Sequence, residues 1–122
     1  MAAIGTGHFA VTISRRVIMG KARMVLGTLT LTGGSDTYST GGMPLPAISS
    51  FGFVKRMDAL IIYGGLGTET VSYEPRYTGS STHKLQIYAS HDTAGSTTLP
   101  MDEQDTSEAP GTRVWYFVAF GW

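Results

Sequence analysis

Apolar and polar residues alternate along most of this chain, in short segments that are separated by glycine-rich turns. In the segment LGTLTLT, Leu29 and Leu31 fall on one face of an extended chain, and the threonines fall on the other. A period of two residues predicts a strand with one buried face. Segments that are extended, apolar or alternating predict strands at 9–19, 22–32, 51–55, 59–63, 71–77, 83–89 and 114–120.

No segment shows a convincing apolar stripe with helical spacing. Seven or eight short strands, spaced roughly 8–12 residues apart, are typical of an antiparallel sandwich or barrel. The chain of 122 residues is read as one domain, large enough to bury about two-thirds of its unfolded surface. Within it, residues 1–8 are predicted to form a flexible N-terminal arm and residues 90–111 a long acidic loop.

The final segment, TRVWYFVAFGW, is apolar on both faces. An alternating strand would carry Val114, Tyr116, Val118 and Phe120 on one face and Trp115, Phe117 and Ala119 on the other. Such a strand needs two covers: the core of its own domain, and either a second layer or another molecule. We predict that Trp115, Phe117 and Trp122 form this second contact, either within the domain or as an interface between copies.

The composition excludes several kinds of site. There are no cysteines, which excludes disulfides, thiolate metal ligands and cysteine nucleophiles. No apolar run approaches the roughly 20 residues that span a bilayer. No basic region precedes an apolar stretch near the N-terminus, so neither a signal peptide nor a membrane partner is expected.

The net charge is zero, but the two parts of the chain differ. Residues 1–57 contain six Lys and Arg residues against one acid, a net charge of +5, whereas residues 58–122 contain three against eight, a net charge of −5. Either the two parts interleave and mix their charges, or the molecule is dipolar and its basic and acidic faces meet in neighbouring copies or on a charged support. Nucleic-acid binding is disfavoured, because no segment supplies a concentrated basic surface.

No motif predicts an enzyme or a cofactor. The segment GLGT at 65–68 begins like a dinucleotide fingerprint, but the third glycine and the following helix are missing, so a loop is expected. His8 and His83 are expected to be solvated. Asp92 follows His91 directly, yet neighbours on a strand point to opposite faces, and no serine stands in a recognisable nucleophile context.

Two further groups of residues have both a functional and a structural interpretation. The acids at 102, 103, 105 and 108 suit calcium, but they lack the alternating ligands and central glycine of an EF-hand loop, so a solvated loop is expected and no metal is predicted. The tyrosines at 38, 63, 73, 77 and 88 either stack on sugars, as in lectin-like sandwiches, or belong to the core and to interfaces.

Three segments in this order resemble a known family. They are TGG at 40–42 with the small and proline residues after it, the tyrosine-bearing hairpin at 73–88 with its lysine before an apolar strand, and the aromatic strand at 114–121 that ends in glycine. Together they resemble the small capsid cement, or decoration, proteins of tailed bacteriophages. The resemblance covers residues 36–122. The N-terminal portion with Arg15 and Arg16 has no match, so no capsid-docking residue is carried over.

The resemblance implies a non-enzymatic protein with an all-β, single-domain antiparallel β-sandwich fold, often jelly-roll-like. It implies that the major capsid protein is the partner and that the chain self-associates, as a trimer or a dimer. Proteins of this family bind the outer capsid lattice and hold neighbouring subunits together against the pressure of the packaged DNA. The expected location is therefore the exterior of the virion, after assembly in the host cytoplasm. Two alternatives stay open: another virion module in the tail, baseplate or head fibre, and a carbohydrate-binding sandwich.

Overall fold

The structure is a computed structural model that describes residues 2–67, 74–90, 101–103 and 109–122. The described residues form eight strands and two short 3-10 helices, at Thr6–His8 and Ile48–Phe51. The strands are β1 (Phe9–Met19), β2 (Ala22–Thr32), β3 (Met43–Pro44), β4 (Met57–Gly67), β5 (Glu74–Tyr77), β6 (Lys84–Ser90), β7 (Met101–Glu103) and β8 (Thr112–Gly121).

The strands form two antiparallel sheets. The larger sheet has the order β1-β2-β8-β4, so the C-terminal strand lies between β2 and β4. In the smaller sheet β6 is central, with β5 on one side and with β3 and β7 following one another along the other. The predicted all-β antiparallel fold is confirmed, as are the predicted bounds of β1 and β2. Jelly-roll connectivity stays a prediction.

One hydrophobic core joins the two sheets. Its buried side chains include Leu29, Leu31 and Phe117 from the larger sheet and Leu85 and Ile87 from the smaller one. Phe51 lies in the 3-10 helix between β3 and β4. Its ring contacts the ring of Phe117 edge-on, with the two centroids 5.5 Å apart. Burying side chains of this size contributes roughly 1.5–3 kcal/mol each, which makes this core the main stabilising feature of the sandwich.

Two predictions that flank or fall within β4 are wrong. Residues 51–55 do not form a strand, because Phe51 ends a 3-10 helix and Gly52 then adopts the left-handed conformation, with φ of 90°. The GLG segment is not a loop, because β4 continues through Gly67 as the partner of β8. Glycine is needed there for packing: a Cβ on Gly65 would lie 2.9 Å from Cδ1 of Trp115.

The N-terminal residues are attached to the domain and do not form a free arm. Ile4 is buried in the core, and its N–H donates to the carbonyl oxygen of Thr37 at 3.0 Å. Ala3 forms a bridge with the same residue. The prediction missed this because a single apolar side chain in an Ala- and Gly-rich segment leaves no periodic pattern.

The predicted acidic loop contains a strand. β7 pairs with the last three residues of β6, from Tyr88 to Ser90. Residues 91–100 and 104–108 lie outside the described part of the chain, and with them His91, Asp105 and Glu108. Tyr73, in the first part of the predicted strand 71–77, also lies outside it.

Candidate interaction surface

The larger sheet packs one face against the core and leaves its other face open. Along β8 the buried side chains are Arg113, Trp115, Phe117 and Ala119, and the residues between them are partly exposed. β2 alternates in the same way, with Val25, Leu29 and Leu31 buried and with Met24 and Leu26 partly exposed. The open side is called the outer face.

Strand register makes the outer face continuous. Ile61 of β4 pairs with Val118 of β8, which in turn pairs with Leu26 of β2. The neighbouring row is Ala59, Phe120 and Met24. Paired residues on antiparallel strands project to the same face, so these six apolar side chains form one contiguous surface, the apolar patch.

Two tyrosines extend the apolar patch along the sheet. The rings of Tyr63 and Tyr116 stack with their centroids 6.2 Å apart. Tyr63 is 60% exposed and Ile61 is 50% exposed. Large apolar side chains in a contiguous exposed group are typical of a contact surface for another protein.

The predicted contact residues Trp115 and Phe117 lie on the opposite face. Phe117 is fully buried and Trp115 is 6% exposed, both in the core between the two sheets. These two residues therefore form the core face of β8, and their assignment to a second contact outside the core is wrong. The residues that the outer face offers to a partner are instead Tyr116, Val118 and Phe120.

Trp122, the third predicted contact residue, is half-buried at the end of β8. Its main-chain oxygen accepts hydrogen bonds from the N–H groups of Val54, Lys55 and Arg56, at 3.2, 2.7 and 3.0 Å. Its ring lies beneath two cations, with Lys55 Nζ 5.5 Å and Arg56 Cζ 5.2 Å from the centroid. Trp122 therefore attaches the end of the chain to the 52–56 segment, and no contact with a partner is needed to explain its position.

The histidine at the N-terminus has a structural role. His8 Nε2 lies 2.7 Å from Asp36 Oδ2, and the N–H of Gly5 donates to His8 Nδ1 at 3.0 Å. Because Nδ1 accepts, the proton is on Nε2 and is donated to the carboxylate. This hydrogen bond is the main cause of a lowered pKa of Asp36. The expectation of a solvated His8 is wrong.

The second histidine, His83, is hydrogen-bonded to the segment that follows β3 and to the last residue of β5. His83 Nε2 lies 2.5 Å from the carbonyl oxygen of Pro46, which can only accept, so Nε2 carries the proton. The hydroxyl of Tyr77 then donates to His83 Nδ1 at 2.9 Å. His83 is also the one described non-glycine residue with positive φ, at 52°. Both nitrogens are engaged, so His83 is a structural residue of the β5–β6 hairpin and is not the solvated residue that was expected.

One of the predicted acidic-loop residues is also structural. Glu103 Oε2 accepts hydrogen bonds from the Tyr38 hydroxyl and, at 2.7 Å, from the N–H of Gly41. Burial and this carboxylate raise the pKa of the Tyr38 hydroxyl. Among the described residues, no group of three or more His, Asp or Glu side chains could hold a metal ion.

The tyrosines that were considered for sugar stacking divide between several roles. Tyr38 is buried, Tyr77 is bonded to His83, and the guanidinium of Arg76 covers the ring of Tyr88 at 4.1 Å. A shallow open cleft beside Tyr88 is lined by Lys84, Gln86 and the threonines of the hairpin turn. Tyr63 and Tyr116 are the stacked pair that the described surface exposes, and they belong to the outer face.

Fold and surface together define a class: an all-β sandwich of two antiparallel sheets, whose described residues include a partly exposed apolar sheet face. Comparison with protein-family models, with curated proteins and with solved structures finds no match to this chain. No helix in the described ranges is long and apolar enough to cross a membrane.

Proposed function

We propose that this chain is a structural protein of a tailed-bacteriophage virion, a cement protein that binds the outer surface of the capsid lattice and stabilises it. The observation that carries the proposal is the apolar patch on the outer face of the larger sheet. An assembly protein needs a surface of this kind, whereas an enzyme needs a site where reactive groups converge. The order of the three sequence segments supports the choice of virion over other assemblies.

The major capsid protein is the proposed partner of the apolar patch. A sheet face is broad and flat, which suits a contact with the surface of a shell better than a contact with a narrow peptide. The patch consists of aliphatic and aromatic side chains, and such residues dominate the buried centre of protein interfaces. Each contact is repeated over the shell, so a modest affinity for one site suffices for stable decoration when copies are also joined to one another.

If a gene for a major capsid protein neighbours this one, shells assembled from that capsid protein test the proposal. Purified protein is mixed with the shells, sedimented with them and located on them by cryo-electron microscopy. Stoichiometric density on the outer surface is the expected result. Shells that remain bare would overturn the capsid assignment, and immunogold labelling of intact particles at the tail or baseplate would replace it with a tail module.

The contribution of the apolar patch is tested with Ile61→Glu against Ser80→Glu. Both variants add one negative charge at an exposed position, but Ser80 lies in the hairpin turn away from the outer face. We expect Ile61→Glu to fold normally, because the side chain is 50% exposed, and to lose at least about tenfold in affinity, or about 1.4 kcal/mol. Equal occupancy of the shell by the two variants would show that the capsid contacts another surface.

A further inference from the structure

Four strand ends and one connecting segment form a single surface at one end of the larger sheet. Arg23 at the start of β2 pairs with Ile18 near the end of β1 and with Gly121 at the end of β8, and β4 begins opposite the same glycine. The 52–56 segment lies there too, because the main-chain oxygen of Trp122 accepts its N–H groups. This surface is called the basic end.

The basic end contains every Lys and Arg of residues 1–57. Arg23 Nη1 donates to the carbonyl oxygen of Gly52 at 3.0 Å, which joins the start of β2 to the 52–56 segment. Lys55 and Arg56 of that segment share the ring of Trp122. The six cations of the segments that meet at this end are Arg15, Arg16, Lys21, Arg23, Lys55 and Arg56.

Little negative charge balances these cations within the described part of the chain. Asp58 is the one described acid beside them, and its carboxylate lies 2.8 Å from Arg56 Nε. Arg15, Arg16 and Lys21 are exposed, and no described acid forms an ion pair with them. The basic end therefore has an excess of positive charge that attracts an anionic partner.

The three most exposed large aliphatic side chains of the described residues lie on the same surface. Val54 is 72% exposed, Ile18 is 70% exposed and Met19 is 52% exposed. Ile18 is directly opposite Arg23, whose guanidinium reaches the segment that contains Val54. Aliphatic and basic side chains are therefore interleaved at the basic end. They are separate from the apolar patch, because they lie at the β1–β2 hairpin tip and in the 52–56 segment.

We propose that the basic end binds the surface of an anionic lipid membrane. Membrane-surface proteins combine the two kinds of side chain found here: apolar groups enter the boundary between headgroups and acyl chains, and Lys and Arg are attracted to acidic headgroups. In this arrangement Ile18, Met19 and Val54 enter the boundary and the surrounding cations contact the headgroups. Trp122 suits this depth as well, because tryptophan is enriched at membrane–water interfaces. Such attachment needs no membrane-spanning segment.

Two other anionic partners fit the basic end less well. Duplex DNA would match the cations through its phosphates, but Ile18 and Val54 would then remain exposed to water. An acidic protein surface would cover the aliphatic side chains, but the buried centre of a protein interface is depleted in charged residues. Here six cations surround three aliphatic side chains, which is the composition that an anionic lipid surface accommodates.

Sedimentation of the purified chain with lipid vesicles tests the proposal. One set of vesicles is phosphatidylcholine alone, and in the other about a third of the lipid is phosphatidylserine. The chain should bind the second set and not the first, and binding should weaken from about 0.02 M to about 0.5 M salt, because salt screens the electrostatic attraction. Equal binding to both sets, or binding to neither, would overturn the proposal.

The contribution of the cations is measured with Lys21→Gln combined with Lys55→Gln. Each Lys near an anionic surface contributes about fivefold in affinity, so this pair should bind about 25-fold more weakly. Thr32→Glu combined with Ser35→Glu is the matched control. It lowers the net charge by the same amount at exposed positions of the opposite end, where Thr32 pairs with Thr112. An equal loss in the two pairs would show that net charge alone matters and would refute a contact at the basic end.

The contribution of the aliphatic side chains is measured with Ile18→Ser combined with Val54→Ser. This pair keeps every charge and should lose at least about tenfold in affinity for the anionic vesicles. Ile18→Leu combined with Val54→Leu keeps the apolar character and should bind as the unchanged chain does. If the Ser pair bound as tightly as the Leu pair, no aliphatic side chain would enter the membrane and the proposal would be wrong.

Tryptophan fluorescence identifies the surface that enters the membrane. The chain has two tryptophans: Trp115 is 6% exposed in the core, whereas Trp122 is half-buried at the basic end. Lipids with bromine on their acyl chains should quench the emission of the bound chain, and Trp122→Phe should remove most of this quenching. Bound chain that is not quenched would contradict insertion of the basic end. Because the Trp signal is read on the unchanged chain, it decides the matter even if a variant does not fold.

This proposal goes beyond the capsid contact and fails separately from it. Vesicles contain no capsid protein, so bare shells would leave vesicle binding unaffected, and absence of vesicle binding would leave decoration of the shell unaffected. Duplex DNA is the competing ligand. Tighter binding to DNA than to the anionic vesicles, unchanged in the pair Ile18→Ser and Val54→Ser, would overturn the membrane proposal in favour of a nucleic acid.

Discussion

The hydroxyl of Tyr38 donates a hydrogen bond to the carboxylate of Glu103, 65 residues further along the chain. The same carboxylate oxygen accepts the N–H of Gly41 at 2.7 Å. Tyr38 is fully buried, so this pair attaches the segment before β3 to β7 at the edge of the smaller sheet. Through the Gly41 N–H, Glu103 also holds the TGG segment, residues 40–42, on which part of the family resemblance depends.

Replacement of Tyr38 by Phe should lower the free energy of unfolding by about 1.5–3 kcal/mol. This is the range for a hydrogen bond to a charged group, and the Phe side chain keeps the apolar contacts. Chemical denaturation measures the loss. Tyr63→Phe is the matched control, because Tyr63 is 60% exposed and its hydroxyl should contribute less than about 0.5 kcal/mol. Equal effects of the two variants would refute the role of the Glu103 contact.

Stability should fall at alkaline pH, and Tyr38 should account for part of the fall. Burial, followed by the bond to Glu103, raises the pKa of Tyr38 above its ordinary value of 10.0, and burial followed by Asp58 raises the pKa of Tyr77. In the unfolded chain both hydroxyls ionise near 10.0, whereas in the folded chain they keep their protons. Their contribution is therefore complete below this pH and is lost as pH rises above it. Urea unfolding across this range should give a shallower decline for Tyr38→Phe.

Adjacent glycines in β4 should differ sharply in their tolerance of alanine. A Cβ on Gly65 would lie 2.5 Å from the carbonyl oxygen of Val114 and 2.9 Å from Cδ1 of Trp115. On Gly64 the nearest atom would be Cδ2 of Tyr116, at an ordinary 3.6 Å. Gly65→Ala should therefore destabilise the fold by about 1–3 kcal/mol.

Gly64→Ala is the control, with an expected change within about 0.5 kcal/mol, because alanine also lowers the entropy of the unfolded chain. Thermal unfolding of both variants measures the difference. A tolerated alanine at 65 would mean that β4 and β8 do not pair through this register.

The N-terminal attachment should weaken in acid. The hydrogen bond from His8 is the first cause of the lowered pKa of Asp36, and the N–H of Ala2 adds to it. The contribution of this carboxylate is present above its ordinary pKa of 3.8 and is lost as pH falls through the lower value of the folded state. NMR titration of the Asp36 carboxyl follows the effect.

Two variants at His8 separate the hydrogen bond from the charge. His8→Ala should move the pKa of Asp36 upward, towards its ordinary value, and His8→Gln should restore part of the shift through its amide N–H. If the pKa of Asp36 did not change in His8→Ala, the His8 contact would not be formed in solution.

The alternation of apolar and polar side chains was sufficient to predict the strands that have one exposed face and one buried face. β1 follows it as far as the register shift between Ile13 and Arg15, and in β2 even the division between buried leucines and outward threonines is correct. The pattern gave a wrong prediction at residues 51–55, where the backbone conformation of Gly52, and not hydropathy, determines the structure. Phe51 and Phe53 are both buried, yet the positive φ of Gly52 between them bends the chain away from a strand.

The candidate surface was predictable in kind but not in detail. The apolar residues on both faces of β8 predicted an apolar surface outside the core, and the apolar patch of the outer face is such a surface. The sequence did not indicate which face of β8 points outward, because Trp115 and Phe117 on one face are as apolar as Val118 and Phe120 on the other. The position of β8 between β2 and β4 decided it, since only one side of that sheet meets Leu85 and Ile87.

By itself, the sequence determined the strand content, the absence of thiol chemistry and the apolar excess of its last strand, because these depend on residue type and on neighbours along the chain. Only the tertiary structure decided which described residues are outermost, how His8 and His83 are bonded and which strand ends meet. Arg23 and Gly52 are 29 residues apart in sequence, and the Arg23 guanidinium donates to the Gly52 carbonyl oxygen because antiparallel pairing brings the ends of β1, β2, β4 and β8 together.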